Sequence, residues 1–291
     1  MTRIDEPLSL SAPLAWQMAP RLCRKDPVTG EDCSWNHGFW QILRLMGMIT
    51  TPEHHREFFA RACAAITCSE SRPRILISGA ADYSMLAHLL AAFRACGIAP
   101  AVTAVDLCET PLHLNRWYAD RRPVALETKC CDILDYRAAQ AFDAVCSHSF
   151  LGQFAPAQRT VLIERWRQLL RPGGTVFTVN RLRPAASSAW VGFSPEQQET
   201  FRETVLSKVG ALRGIVDIAE HEIASYAEIY AKRQGAFPIH SREEVLDLFE
   251  RGGLRLDHLV CAPVTAGPRD GVSGPTTPGG AEYACIIARR P

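Results

Sequence analysis

The chain has no apolar run approaching the roughly 20 residues that a bilayer-spanning helix needs. Its opening stretch, MTRIDEPLSLSAPLAWQ, lacks the charged start, apolar middle and small-residue cleavage site of a signal peptide. The expected location is therefore cytoplasmic. Charge of one sign is equally scarce: 32 Lys and Arg face 31 Asp and Glu, a net +1. That leaves no basic excess to neutralise many phosphates, so the expected partner is a small molecule, with neither nucleic acid nor membrane. At 47% hydrophobic and 22% charged residues, the composition also excludes disordered, collagen-like and coiled-coil chains. Oligomeric state leaves no mark in it.

Paired cysteines are missing too. The eleven cysteines include no C-x-x-C pair and no His–Cys group at zinc-ligand spacing along the chain. Cys146 and Cys285 sit inside apolar strand patterns, where Cys acts as a small buried hydrophobe. The spacing predicts reduced thiols, with no metal site and no disulfide framework.

What is present is an alternation. Strands are expected at 74–79, 101–106, 124–130, 142–149 and 175–182, with helices at 84–96, 111–120 and 156–174 between them, the last stopped by Pro172-Gly173-Gly174. Strands that alternate with helices mean an α/β fold with a parallel, doubly wound sheet. A helix opened by Ser241-Arg242-Glu243-Glu244 and strands at 255–262 and 282–290 extend it. Two segments stand apart. Residues 1–70 form an expected helical preface, with helices at 36–47 and 52–67, and 185–236 an inserted helical cap of one or two long helices. The expected division is preface 1–70, core 71–184, cap 185–236 and completion of the core at 237–291. The Gly- and Pro-rich stretch 266–281 is expected to be a mobile loop.

Three strand ends carry candidate chemistry. The first runs through Ser78-Gly79-Ala80-Ala81-Asp82-Tyr83-Ser84 into a helix, where small residues let a ligand reach helix N–H groups. The second closes on Asp106, 27 residues after Gly79, where an acid can accept both hydroxyl hydrogens of a ribose. The third ends in Cys131-Asp132-Ile133, where a carboxylate could accept an exocyclic adenine N–H.

Together with Leu170-Arg171-Pro172-Gly173-Gly174 and the TVFTVN that follows, these residues resemble the class I S-adenosylmethionine-dependent methyltransferases over about 72–184 and again over 237–291. The resemblance implies a Rossmann-like core with seven strands, the last antiparallel, and S-adenosylmethionine as cofactor. It implies that Gly79, with Ala80, Ala81 and Asp82 in the same turn, takes the methionine part, and that Asp106 binds the ribose. Leu107 would flank the adenine, Asp132 and Ile133 would hold its edge and face, and Ser147 and His148 would border the reacting centre. Departures stand at Ile77, where the family often has an acid, and at Ala81 and Tyr83 in place of glycines. Contacts to the cofactor's amino group are then expected from Asp82 or from the preface.

His148 is the candidate general base, since an imidazole can take a proton near neutral pH. Candidates for the substrate pocket are Trp35, His37, Phe150, Asn180, Arg181, Tyr226 and Tyr230. Arg181 and Arg183 suit a substrate carboxylate. The implied activity is methyl transfer to a small molecule, as in secondary metabolism, by in-line attack of a substrate nucleophile under a helical lid. Two alternatives stay open: cyclisation of the cofactor with release of methylthioadenosine, and a non-catalytic binding protein on the same fold.

Overall fold

The computed structural model describes the chain apart from residues 1–3, 5, 27–28, 67–71, 188, 265–273, 276 and 278–279. The N-terminal part folds as α1 (Leu8–Leu22), α2 (Ser34–Leu45), a 3-10 turn at Pro52–His55 and α3 (Arg56–Ala64). The alternation follows as β1 (Arg74–Ser78), α4 (Ser84–Ala95), β2 (Ala101–Asp106), α5 (Glu109–Ala119), β3 (Ala125–Cys130), β4 (Phe142–His148), α6 (Pro156–Leu169) and β5 (Leu170–Leu182). The remainder is β6 (Val191–Gly192), α7 (Pro195–Ser207), α8 (Glu220–Arg233), β7 (Gly235–Ala236), α9 (Arg242–Arg251), β8 (Arg255–Pro263) and β9 (Glu282–Arg289).

Seven strands form one sheet in the order β3-β2-β1-β4-β5-β9-β8. Strand β9 runs antiparallel to both neighbours, and the other pairings are parallel. The order reverses between β1 and β4, which opens a crevice at the carboxyl ends of those strands. Both faces of the sheet are covered, which is why β1 reads as an unbroken apolar run rather than an alternating one. Ile75 and Ile77 point into a cluster with Phe59, Leu86 and Phe93 from α3 and α4. Leu76, on the opposite pleat, joins Leu162 and Trp166 of α6 and Phe249 of α9. A third cluster lies off the sheet and packs Phe39, Ile42 and Leu43 of α2 against Phe201 of α7 and Tyr230 of α8.

Helices α1 and α6 differ from the sequence expectations, and the cap segment holds the larger of the two helix numbers expected for it. Helix α1 was not expected, because it carries Pro13 and Pro20 inside it. It is held instead by its small face: Ala12, Ala15 and Ala19 are fully buried, and a Cβ on Gly38 of α2 would come within 3.2 Å of the Ala19 Cβ. Helix α6 ends at Leu169, before the Pro-Gly-Gly, because Leu170 already pairs with Phe142 and Arg171 donates to the Asp143 carboxylate at 2.6 Å. The segment 185–236 is two helices with a 3-10 turn, Val209–Leu212, between them. The start of α9 is as read: the Glu244 N–H donates to the Ser241 Oγ at 3.1 Å. Most of the expected loop 266–281 lies outside the described residues. Among those described, no helix is long and apolar enough to cross a membrane.

Candidate active site

A cavity of about 520 Å³ sits over the carboxyl ends of β1, β2, β4 and β5. Its floor is built by the first turn. Gly79 has φ +75, and a Cβ there would lie 2.3 Å from the Phe150 ring, so conformation and space both demand glycine. That geometry aims the Ala80 N–H at the Asp106 Oδ2 at 2.9 Å, while the Cys108 N–H donates to Oδ1 at 2.8 Å. Burial raises the Asp106 pKa above the usual carboxylate range, opposed by His37 and by the two backbone donors. Each oxygen accepts one backbone bond and keeps capacity for another. Leu107, 63% exposed, stands on the cavity wall beside it. Asp132 accepts from the Leu134 N–H at 2.8 Å, and Ile133 is buried next to it.

Asp82, on the same wall, is committed to the preface. Arg44 of α2 meets its carboxylate at 2.6 Å and reaches Glu6 with its other nitrogen at 2.6 Å. The Ser84 N–H caps the remaining Asp82 oxygen at 2.7 Å. The two sources named for a contact to the amino group, Asp82 and the preface, are therefore one buried network. Sequence reasoning missed Arg44, which lies in α2, 38 residues from Asp82 along the chain.

His148 ends β4 with its Nε2 unpartnered among the described residues, and its ring is 5.4 Å from that of His55. Burial, then the neighbouring His55 and His54, hold its pKa well below the usual imidazole range. Burial and His54 likewise depress His55 to about 4. Both rings are neutral at pH 7. The next residue, Ser149, is the only described non-glycine with positive φ, at 53, and it lines the cavity. Such a conformation persists where the surroundings over-determine it, often at functional sites.

Of the substrate candidates, His37, Phe150, Asn180, Arg181 and Tyr230 border the cavity. Trp35, Tyr226 and the cofactor candidate Ser147 do not. Trp35 stands edge-on to Tyr230 with centroids 5.9 Å apart, Tyr226 lies against Trp16 at 4.3 Å, and the Ser147 hydroxyl is buried against Thr178 at 2.7 Å. Asn180 is fixed by the Leu151 N–H and the Thr178 hydroxyl, each at 2.9 Å. The Tyr230 side chain is fully buried, and its Oη has no partner among the described residues. Arg183 is 5% exposed, and burial and the charge of Arg181 lower its pKa to about 10. Thr51, Gln153, Phe237 and Tyr283 complete the walls. The sequence marked Thr51 only as a helix cap and gave no sign of the other three.

Residues 84–174 match the family model of a methyltransferase domain. Over that span, about a third of the chain, the sequence is that of a methyltransferase domain. Among solved structures it is similar to the 1,6-didemethyltoxoflavin-N1-methyltransferase of Burkholderia thailandensis, with bound 1,6-didemethyltoxoflavin and S-adenosylhomocysteine. That match has 15% identity and a TM-score of 0.51, and covers 100% of this chain and 92% of that one. It is also similar to the magnesium protoporphyrin IX methyltransferase of Synechocystis PCC 6803, with bound S-adenosylhomocysteine, at 12% identity, TM-score 0.50, and coverage of 87% and 94%. At these identities the likeness is one of fold, and it agrees with the strand order above. No curated protein matches the chain in sequence. Both of those structures hold S-adenosylhomocysteine, and the residues lining the cavity here would fit a cofactor of that kind. Asp106 has acceptor capacity left for hydroxyl hydrogens, apolar Leu107 and Ile133 stand near it, and the cavity falls within the ~300–1,000 Å³ of small-molecule sites.

Proposed function

We propose that the protein methylates a small anionic molecule held between the sheet edge and a lid made by the preface and the cap. The observation that carries this is the composition of the cavity wall: cofactor-type residues on one side, and α2, Tyr230 and 234–237 on the other. In this reading Gly79, Ala80 and Ala81 let the methionine part approach, Asp106 takes the ribose, and Leu107, Asp132 and Ile133 enclose the adenine. Asp82, whose charge is held by Arg44 behind it, lines the cavity at the amino-acid end. Bound there, the cofactor supplies a methyl group on a sulfonium whose sulfur is already a good leaving group.

The protein's own contribution is then alignment and exclusion of water. The lid is drawn over the cavity by the apolar cluster that α2 shares with α7 and α8. Arg183, buried and meeting no carboxylate within 4 Å among the described residues, is placed with Arg181 to bind an anionic group on the acceptor. Neutral His148 orients the acceptor's nucleophile or takes its proton. The reading is supported by the Burkholderia structure, which holds 1,6-didemethyltoxoflavin together with S-adenosylhomocysteine. A cytoplasmic setting in small-molecule metabolism, no nucleic-acid partner, and the division at 70, 184 and 236 belong to the same proposal.

The test is a panel of small acceptors, sorted by charge, incubated with S-adenosylmethionine and assayed for S-adenosylhomocysteine by mass spectrometry. Turnover should concentrate on anionic acceptors, and Arg183→Met should lower kcat/KM for them by about tenfold or more, the worth of one charge-assisted bond. Turnover of neutral acceptors alone would remove the anion. Enzyme-dependent methylthioadenosine in place of S-adenosylhomocysteine would replace methyl transfer by cyclisation.

A further inference from the structure

The fold assembles a ligand set that spacing along the chain could not show. We propose that Cys23, Cys33, His37 and Cys108 bind one structural zinc ion. Their three sulfurs and the imidazole nitrogen all lie within 4.8 Å of one another. Three separations are 3.6 Å: Cys23 Sγ to His37 Nδ1, Cys33 Sγ to Cys108 Sγ, and Cys108 Sγ to Cys23 Sγ. Four ligands about 2.3 Å from a central zinc in a tetrahedron stand about 3.7 Å apart. Three of the six separations thus match a zinc site and the rest lie within 4.8 Å, so small side-chain shifts would complete the tetrahedron. A disulfide needs sulfurs about 2.05 Å apart, so no pair here is bonded.

The backbone, rather than flexible side-chain reach, brings them together. Cys23 directly follows α1, Cys33 directly precedes α2, His37 lies one turn into α2, and Cys108 directly precedes α5. Cys33 and Cys108 thus stand at helix N-termini, whose partial positive charge favours thiolates. The Thr110 hydroxyl is 3.1 Å from the Cys23 sulfur and can donate to it, as partners of metal-bound sulfurs do. A divalent cation would bind this set by displacing the thiol and imidazole protons.

The donor set chooses the metal. Three thiolates and one imidazole in a tetrahedron suit zinc, and hard cations that seek oxygen are poorly served. Four protein ligands leave no open position, so the ion is structural. It fastens the ends of α1 and α2 to the turn after β2, two residues beyond Asp106, and so anchors the preface beside the cofactor edge. His37, a substrate candidate by sequence, spends its Nδ1 on the metal.

The test is the metal content of the intact protein, purified reduced and without chelator, followed by cobalt(II) substitution. Near one zinc per chain is expected, with cobalt giving the intense visible bands and thiolate charge-transfer band of a tetrahedral sulfur site. Cys33→Ser and Cys108→Ser should lose most of the metal, while Cys285→Ser keeps it. Should the serine variants fail to fold, the cobalt spectrum of the unaltered protein decides alone. Folded, reduced protein that takes up neither zinc nor cobalt, an octahedral cobalt spectrum, or a disulfide among the three cysteines would overturn the assignment.

Discussion

The two walls of the cavity are held by different means. On the sheet side, each candidate sits at the end of a strand or in the turn after it, and short backbone bonds such as Ala80 N–H to Asp106 fix its place. On the helical side, His37 and Tyr230 come from helices nearly 200 residues apart, joined by apolar packing around Phe39 and Phe201. The first wall is set by local chain geometry and the second by tertiary burial. Cofactor binding and acceptor binding should therefore respond to different perturbations, and the Arg44 network that crosses between the walls is the place to break both.

Arg44→Met should have the largest effect. It leaves Asp82, 3% exposed, and Glu6 as buried carboxylates without their cation, and breaking such a pair costs about 3–5 kcal/mol. Chemical denaturation would show it as a lower midpoint with unchanged slope. The same network gives the next effect through pH. Burial alone would raise Glu6, but His88 and Arg44 beside it hold the carboxyl down to about 2 from an ordinary 4.5. A carboxyl depressed in the folded state stabilises above its unfolded pKa, so on the order of 3 kcal/mol is lost as pH falls from about 4.5 towards 2. Thermal unfolding across that window should show a steeper acid loss in the unaltered protein than in Glu6→Gln.

Asp106→Asn should weaken S-adenosylhomocysteine binding by about 1.5–3 kcal/mol, roughly 10- to 150-fold, and should cost a further ~1–3 kcal/mol of stability because the amide NH2 replaces one of the two oxygens that accept the Ala80 and Cys108 N–H groups. Tyr230→Phe should do least. Removing a buried hydroxyl with no partner leaves stability unchanged or raises it by under about 1 kcal/mol, shifts KM for the acceptor, and leaves cofactor affinity alone. If Tyr230→Phe weakened the cofactor instead, the contrast between the walls would fail.

The same contrast explains what the sequence disclosed. Asp106 and Asp132 were legible as strand-end acids because a strand's period and its end are written in consecutive residues, and the parallel α/β class followed from strand-helix alternation. Arg44, Phe237 and Tyr283 were not, since nothing local says which helix or strand lies across the cavity. Helix α1 was hidden by its prolines, whose cost is met by close packing of alanines against Gly38. The Cys–His cluster was hidden because Cys108 is 71 residues from His37. The Leu-Arg-Pro-Gly-Gly stretch signalled the right place and the wrong element: it belongs to β5, where Gly173 takes φ +74.

The most direct test is calorimetric titration of S-adenosylhomocysteine into the unaltered protein and into Asp106→Asn and Tyr230→Phe. The account predicts binding to the first, binding weakened at least about tenfold in the second, and unchanged binding in the third. Equal affinity in all three, or no binding to the unaltered protein, would contradict a cofactor held by the strand ends.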